Sequence, residues 1–184
     1  MNRNASHRAV FLDRDGTITE EASYVGDVDK VVPIPGAADA LKQLQDAGYK
    51  LFVITNQSGV GRGYFTREAV EAIHAHLDEY FANAGVRFDR YYICPHHPED
   101  NCDCRKPKPK FLLDAAREYG LDLSRCFMIG DRPSDIQAGI NAGARTILVL
   151  TGAGRDTLAS QEVRPDFVAE NILAAATWIL TRKS

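Results

Sequence analysis

The chain has 184 residues, 45% of them hydrophobic, and a formal charge of −3, which suffices for one self-supporting core and reads as a single domain over 1–184. The acidic balance excludes nucleic acid as the main partner and favours a small molecule. No apolar run exceeds strand length and residues 1–8 carry no signal-like stretch, so no membrane contact is expected and the cytoplasm is the expected compartment.

Residues 9–12 form a short, uncharged, β-rich run and read as the first strand. An amphipathic segment at 37–47 stops at Gly48, and 51–54 is a second strand. A helix at 67–84 follows Thr66 and stops at Gly85, 91–94 is a third strand, and Lys110–Tyr119 is a helix stopping at Gly120. Thr66 has N-cap chemistry and the glycines have C-terminal chemistry. Residues 126–129 and 146–150 are the last two strands, with a helix between them capped by Ser134 and ending near Gly143. The tail at 172–180 is amphipathic, with Trp178 expected against the sheet. Alternation of β and α with strands apolar on both faces specifies an α/β fold with a parallel sheet, whose ligands gather beyond the carboxyl ends of the strands.

Polar motifs fall at three of those strand ends. Phe11-Leu12-Asp13-Arg14-Asp15-Gly16-Thr17 ends the first. Asp13 and Asp15, two apart on extended chain, point the same way, and like charges that close call for a cation such as magnesium. One carboxylate can then attack phosphorus while the other handles the leaving group's proton. An ordinary surface turn uses the same residue types. Thr55-Asn56-Gln57-Ser58-Gly59 ends the second strand with donors suited to a phosphate, or makes a plain polar turn. Gly130-Asp131-Arg132-Pro133-Ser134-Asp135 brings Asp131 to the same rim as a metal ligand, and Asp135 suits the first turn of a helix, capping or supporting the site.

Taken in order, Asp13-x-Asp15-Gly-Thr, Thr55, Lys106 and Gly130-Asp131 resemble the motif set of the haloacid dehalogenase superfamily of phosphatases, over about 11–150. The resemblance implies a doubly wound, Rossmann-like sheet with helices on both faces. It implies Asp13 as nucleophile, Asp15 as general acid/base, Thr55 and Lys106 on the phosphoryl group with Arg105 beside them, and magnesium on Asp13, Asp131 and the Asp15 carbonyl.

A second constellation comprises Cys94-Pro95-His96-His97 and Cys102-Asp103-Cys104-Arg105-Lys106-Pro107. Three thiols and one imidazole at Cys94, His96, Cys102 and Cys104 match a closed, structural zinc site that orders an otherwise irregular loop; packed free cysteines are the alternative. His97 is expected outside the ligand set and Cys126 in the core. His74 and His76 lie on different helix faces and do not pair, while Tyr91 and Tyr92 read as sheet packing.

Within the superfamily the motifs resemble the small zinc-containing phosphatases that lack a large cap domain, in the branch acting on a heptose bisphosphate during surface-polysaccharide assembly. That resemblance implies a phosphorylated sugar partner, a monomer, and substrate contacts at Glu21, Ala22, Ser23, Tyr24, Thr55, Asn56, Gln57, Ser58, Arg105, Lys106 and Arg132. Histidinol-phosphate phosphatases share the zinc-loop and Gly130-Asp131-Arg132 motifs, and a non-catalytic zinc-stabilised binding module is a reading from another class. The basic set Arg62, Arg105, Lys108 and Arg132 suits a second phosphate, with solvated loop charges the alternative for Arg62 and Lys108; Arg105 and Lys106 are shared with the histidinol enzymes and discriminate nothing, so the segment 58–65 favours the bisphosphate.

Overall fold

A computed structural model describes residues 8–21 and 24–182. Strands β1 (Ala9–Leu12), β2 (Lys50–Asn56), β3 (Arg90–Cys94), β4 (Phe127–Gly130), β5 (Arg145–Val149) and β6 (Phe167–Ala169) form one sheet in the order β3-β2-β1-β4-β5-β6. Every pairing is parallel. The chain winds outward from β1 to β3, then crosses back to β4 on the other side of β1. This reversal opens a crevice at the carboxyl ends of β1 and β4, where ligands bind in open α/β sheets.

Residues of β1 alternate between two cores, as the period of two requires. Val10 and Leu12 face α1 (Ala37–Asp46), α3 (Arg67–Asn83) and α7 (Ile172–Thr181), through Leu41, Leu44, Ile73, Leu77, Phe81 and Ile172. Ala9 and Phe11 face α4 (Lys110–Tyr119) and α5 (Pro133–Ala142), through Leu112, Ala115 and Ala138. Helices therefore cover both faces, and the segments leaving β1 and β2 toward α1 and α3 are too short to hold a large cap.

The helix ends behave largely as their chemistry requires. Thr66 accepts from the Ala69 amide at 3.2 Å at the start of α3, and Gly120 and Gly143 close α4 and α5 in the left-handed conformation. One expectation is corrected. Ser134 lies inside α5, whose N-cap is Arg132, and the Asp135 carboxylate accepts from the Arg132 amide at 2.9 Å. The strands expected at 126–129 and 146–150 are each displaced by one residue, because parallel register, set by pairing with β1 and β4, decides their ends. The short α2 (Ser58–Gly61), α6 (Gly154–Ser160) and β6 were not expected. Trp178 is partly buried, stacked on Phe167 of β6 at 4.4 Å.

Candidate active site

The crevice holds a cavity of about 550 Å³ lined by residues of all three polar motifs, including Asp13, Asp15, Thr55, Lys106 and Asp135. Its floor is an ion cluster. Lys106 Nζ, 3% exposed as a residue, donates to Asp13 Oδ1 and to the Ile54 carbonyl, both at 2.7 Å, and lies 2.7 Å from Asp135 Oδ1. Burial alone would discharge such a lysine, but Asp13 and Asp135 hold its pKa above the usual value. Burial, reinforced by Asp135, pushes the Asp13 carboxyl well up, and Lys106 opposes that shift. A cation is therefore a requirement of Asp13 in its charged form.

Asp131 sits behind this pair. Its Oδ2 accepts from the Ala153 amide at 2.8 Å, while Oδ1 is buried without a partner among the described residues. Burial first, and Asp135 second, raise its pKa to about 7. Ligand atoms of Asp13, Asp131 and Asp135 all lie within 4.8 Å of one another. Three buried carboxylates with one orphaned oxygen form a hard-oxygen donor set of the kind magnesium takes, so these residues fit the ion. Gly16 makes the approach feasible: at φ +85° it carries the chain past Asp131, and a Cβ there would sit 2.4 Å from Oδ2.

Asp15 is held from the other side. Arg14, only 1% exposed, donates through Nε to Asp15 Oδ1 at 3.0 Å and through Nη2 to Oδ2 at 2.9 Å. Gln57 Nε2 donates to Asp15 Oδ2 at 2.9 Å and to Thr55 Oγ1 at 2.7 Å. The two motif loops are thus joined directly. Asn56 lines the cavity but its amide is committed to the Lys106 backbone, accepting from the N–H and donating to the carbonyl at 3.1 Å each. Those bonds hand Lys106 to the end of β2.

The remaining expected contacts divide. Ser58, Arg105, Glu21, Tyr24 and Arg132 line the cavity; Ala22 and Ser23 lie outside the described residues. Arg105 Nη1 is buried with no acceptor among the described residues, whereas Arg132 is ion-paired with Glu21 across the mouth. Tyr24 stands half exposed at the rim, edge-on to Tyr64 at 4.9 Å, with Arg62 5.9 Å from its ring centre. Lys108 does not join them. It donates to the Cys102 carbonyl at 2.8 Å and to Asn101, turning toward the cysteine loop.

That loop gathers Cys94, His96, Cys102 and Cys104, whose ligand atoms lie within 4.8 Å. The three Sγ–Sγ separations are 3.2 to 3.6 Å, and His96 Nδ1 is 3.2 Å from Cys104 Sγ. Sulfurs on a tetrahedral zinc with bonds of about 2.3 Å would stand about 3.8 Å apart, so the set fits zinc after a small expansion. His97 stays outside, its Nδ1 accepting from the Glu99 amide at 3.2 Å. Cys126 is buried in the core.

Two participants carry no assignment from the sequence: Arg14, between the two motif aspartates, and His74 of α3, which contacts it at 3.3 Å. His76 is exposed on another face.

Comparisons with known proteins agree with this geometry. A haloacid dehalogenase-like hydrolase family model matches residues 10–84, and a HAD-hydrolase-like model matches residues 103–175. The D-glycero-beta-D-manno-heptose-1,7-bisphosphate 7-phosphatase of Pseudomonas putida is 38% identical over 170 residues, covering 92% of this chain and 97% of its own. The enzyme of the same name from Helicobacter pylori strain J99 is 44% identical over 147 residues, covering 79% and 84%. Among solved structures, the D,D-heptose 1,7-bisphosphate phosphatase of B. bronchiseptica, complexed with magnesium and phosphate, superposes with a TM-score of 0.90 at 36% identity, covering 94% of this chain and 98% of its own. With two family models in register and relatives aligned nearly end to end, the chain belongs to the haloacid dehalogenase-like hydrolases, in the family of the heptose bisphosphate phosphatases.

Proposed function

We propose that this enzyme removes the 7-phosphate of D-glycero-D-manno-heptose 1,7-bisphosphate by transferring it to Asp13 and then to water, as one cytoplasmic, monomeric phosphatase domain over 1–184. The observation that carries the reading is the convergence of Asp13, Asp15, Thr55 and Lys106 on one cavity at the carboxyl ends of the strands, with an Asp131 carboxylate oxygen within 4.8 Å of Asp13 behind it.

In the first step an Asp13 carboxylate oxygen attacks phosphorus, the bond from phosphorus to the sugar oxygen breaks, and that oxygen takes its proton from Asp15. In the second, water gives a proton to Asp15 while its oxygen attacks phosphorus, releasing phosphate and restoring Asp13. Splitting one displacement in two makes each easier. Lys106 and Thr55 hold the equatorial oxygens, where charge stabilisation does most of the work in phosphoryl transfer. Asp13, Asp131 and the Asp15 carbonyl would hold magnesium, with Asp135 tying Lys106 beside them. When bound, magnesium supplies positive charge against these carboxylates and the transferred group. Cys94, His96, Cys102 and Cys104 would hold a structural zinc that fixes Arg105 and Lys106.

The names of the relatives favour the heptose bisphosphate over histidinol phosphate, two substrates that the motifs leave open, and complete retention of the ion cluster speaks against a non-catalytic module. Lys108 gives this choice no support, since it is turned away. Arg105, with a buried nitrogen unpaired among the described residues, and Arg132 are the contacts suited to a second phosphate. The test is phosphate release with Asp13→Asn, which keeps shape and removes the nucleophilic charge. Turnover should fall by several orders of magnitude, as on removing a member of a catalytic unit. Residual activity near wild type would strip Asp13 of the role, and a higher kcat/KM for histidinol phosphate would overturn the substrate.

A further inference from the structure

We propose that His74 is a positioning residue that acts through Arg14 on the Asp15 carboxylate and so sets the proton transfers of the reaction; the inference rests on the phosphoryl-transfer reading above. His74 lies on α3, sixty positions from Arg14, and neither touches the aspartate nor lines the cavity.

Arg14 is a fully buried guanidinium, a costly group unless its N–H donors are all met. One edge is spent bidentately on Asp15. The opposite nitrogen, Nη1, has His74 Nε2 at 3.3 Å, and a guanidinium can only donate, so Nε2 must be the acceptor and the ring must carry its proton on Nδ1. Burial, with Arg14 adding repulsion, depresses the His74 pKa to about 3, which keeps that lone pair free throughout the working range. The imidazole is itself fixed: it is 5% exposed and stacked on Tyr91 at 4.2 Å and 17°, and the Tyr91 hydroxyl donates to Asp78 Oδ1 at 2.9 Å. A rigid chain thus runs from α3 and β3 to the plane of the Asp15 carboxylate. Thr19 and Gln57 contact that carboxylate from the β1 and β2 loops, while the Asp15 side chain, 26% exposed, opens on the cavity.

A purely structural ion pair would need Arg14 and Asp15 but no particular acceptor on α3. The alternatives separate by leaving group. A sugar alkoxide cannot leave without a proton from Asp15, whereas p-nitrophenolate can; both substrates need Asp15 to activate water. His74→Phe keeps the stacked ring and removes the acceptor, and His74→Gln restores one. With magnesium present, His74→Phe should lower kcat for the heptose bisphosphate about tenfold or more with KM little changed, within the range for general acid–base catalysis. The first-turnover burst of p-nitrophenol from p-nitrophenyl phosphate should keep its rate while the steady state slows, and His74→Gln should recover most of both losses.

Burst and sugar-phosphate rates falling together, glutamine doing no better than phenylalanine, or no loss at all would each overturn the proposal. Because the phenylalanine variant could unfold, nitrogen NMR of the wild-type protein supplies a second measurement. His74 should show an unprotonated, hydrogen-bonded Nε2 from pH 6 to 8, and an Nε2–H tautomer there defeats the inference. A wild-type enzyme with no magnesium-dependent release from either substrate would instead refute the reaction itself, a result visible before any variant is made.

Discussion

Replacing Lys106 with methionine tests the ion cluster most directly. The side chain keeps its length, but three oxygens lose a cation at 2.7 Å: Asp13 Oδ1, Asp135 Oδ1 and the Ile54 carbonyl. Asp13 and Asp135 are 6% and 0% exposed, so water cannot replace it. Removing one member of a buried pair costs about 3–5 kcal/mol, chiefly because the partner is left charged and unpaired, and two partners are stranded here. Urea denaturation of the zinc-loaded protein without magnesium should therefore show a loss at or above about 3 kcal/mol, partly recovered when magnesium is added. In steady-state assays kcat should fall by about two to three orders of magnitude, as when one preorganised charge-stabilising group is removed. Lys106→Arg should not rescue, since a planar fork is a poor fit to a buried site shaped for one ammonium. An unchanged denaturation midpoint without magnesium, together with near-normal kcat, would refute the reasoning, because the cluster would then be neither holding the fold nor holding the phosphoryl group.

Cys102→Ser with Cys104→Ser should reduce zinc from about one ion per chain to none by elemental analysis and loosen the loop that carries Arg105 and Lys106; a zinc-free wild type with the loop equally protected in hydrogen exchange would show that the thiols are only packed. Gly16→Ala must accommodate φ +85° and a Cβ 2.4 Å from Asp131 Oδ2, and misplacing the carboxylate by about 1 Å should cost about a hundredfold in turnover; wild-type kinetics would contradict the close approach. The His74 pKa of about 3 lies below the usual 6.5, so between those values the unfolded chain binds a proton that the folded one refuses. Its contribution to stability is complete above pH 6.5 and declines as pH falls, by about 1.4 kcal/mol at pH 5.5. The difference in unfolding free energy between wild type and His74→Gln should change by that amount between pH 7.5 and 5.5, and parallel pH profiles would count against it.

The alternation of strands and helices, the placement of three polar motifs at strand ends, and the four zinc-ligand candidates could all be read from the residues in order. Each depends on a short window: apolar period, an N-cap threonine, a C-terminal glycine, or C-x-H and C-x-C spacing. What escaped is of another kind. β6 has three residues and owes its existence to an edge on β5, and α5 starts at Pro133 because Asp135 caps the Arg132 amide. Asp135 looked like a helix-end acid, and it is one, but it also pairs with Lys106. Lys108 looked like a phosphate ligand and serves the cysteine loop. Arg14 and His74 carried no local mark of their partnership. In each case the deciding contact joins segments brought together by the strand order β3-β2-β1-β4-β5-β6. Local sequence determines where the backbone can bend and which faces are apolar, whereas the pairing of buried charges depends on which strands become neighbours, a choice made by the packing of the whole chain.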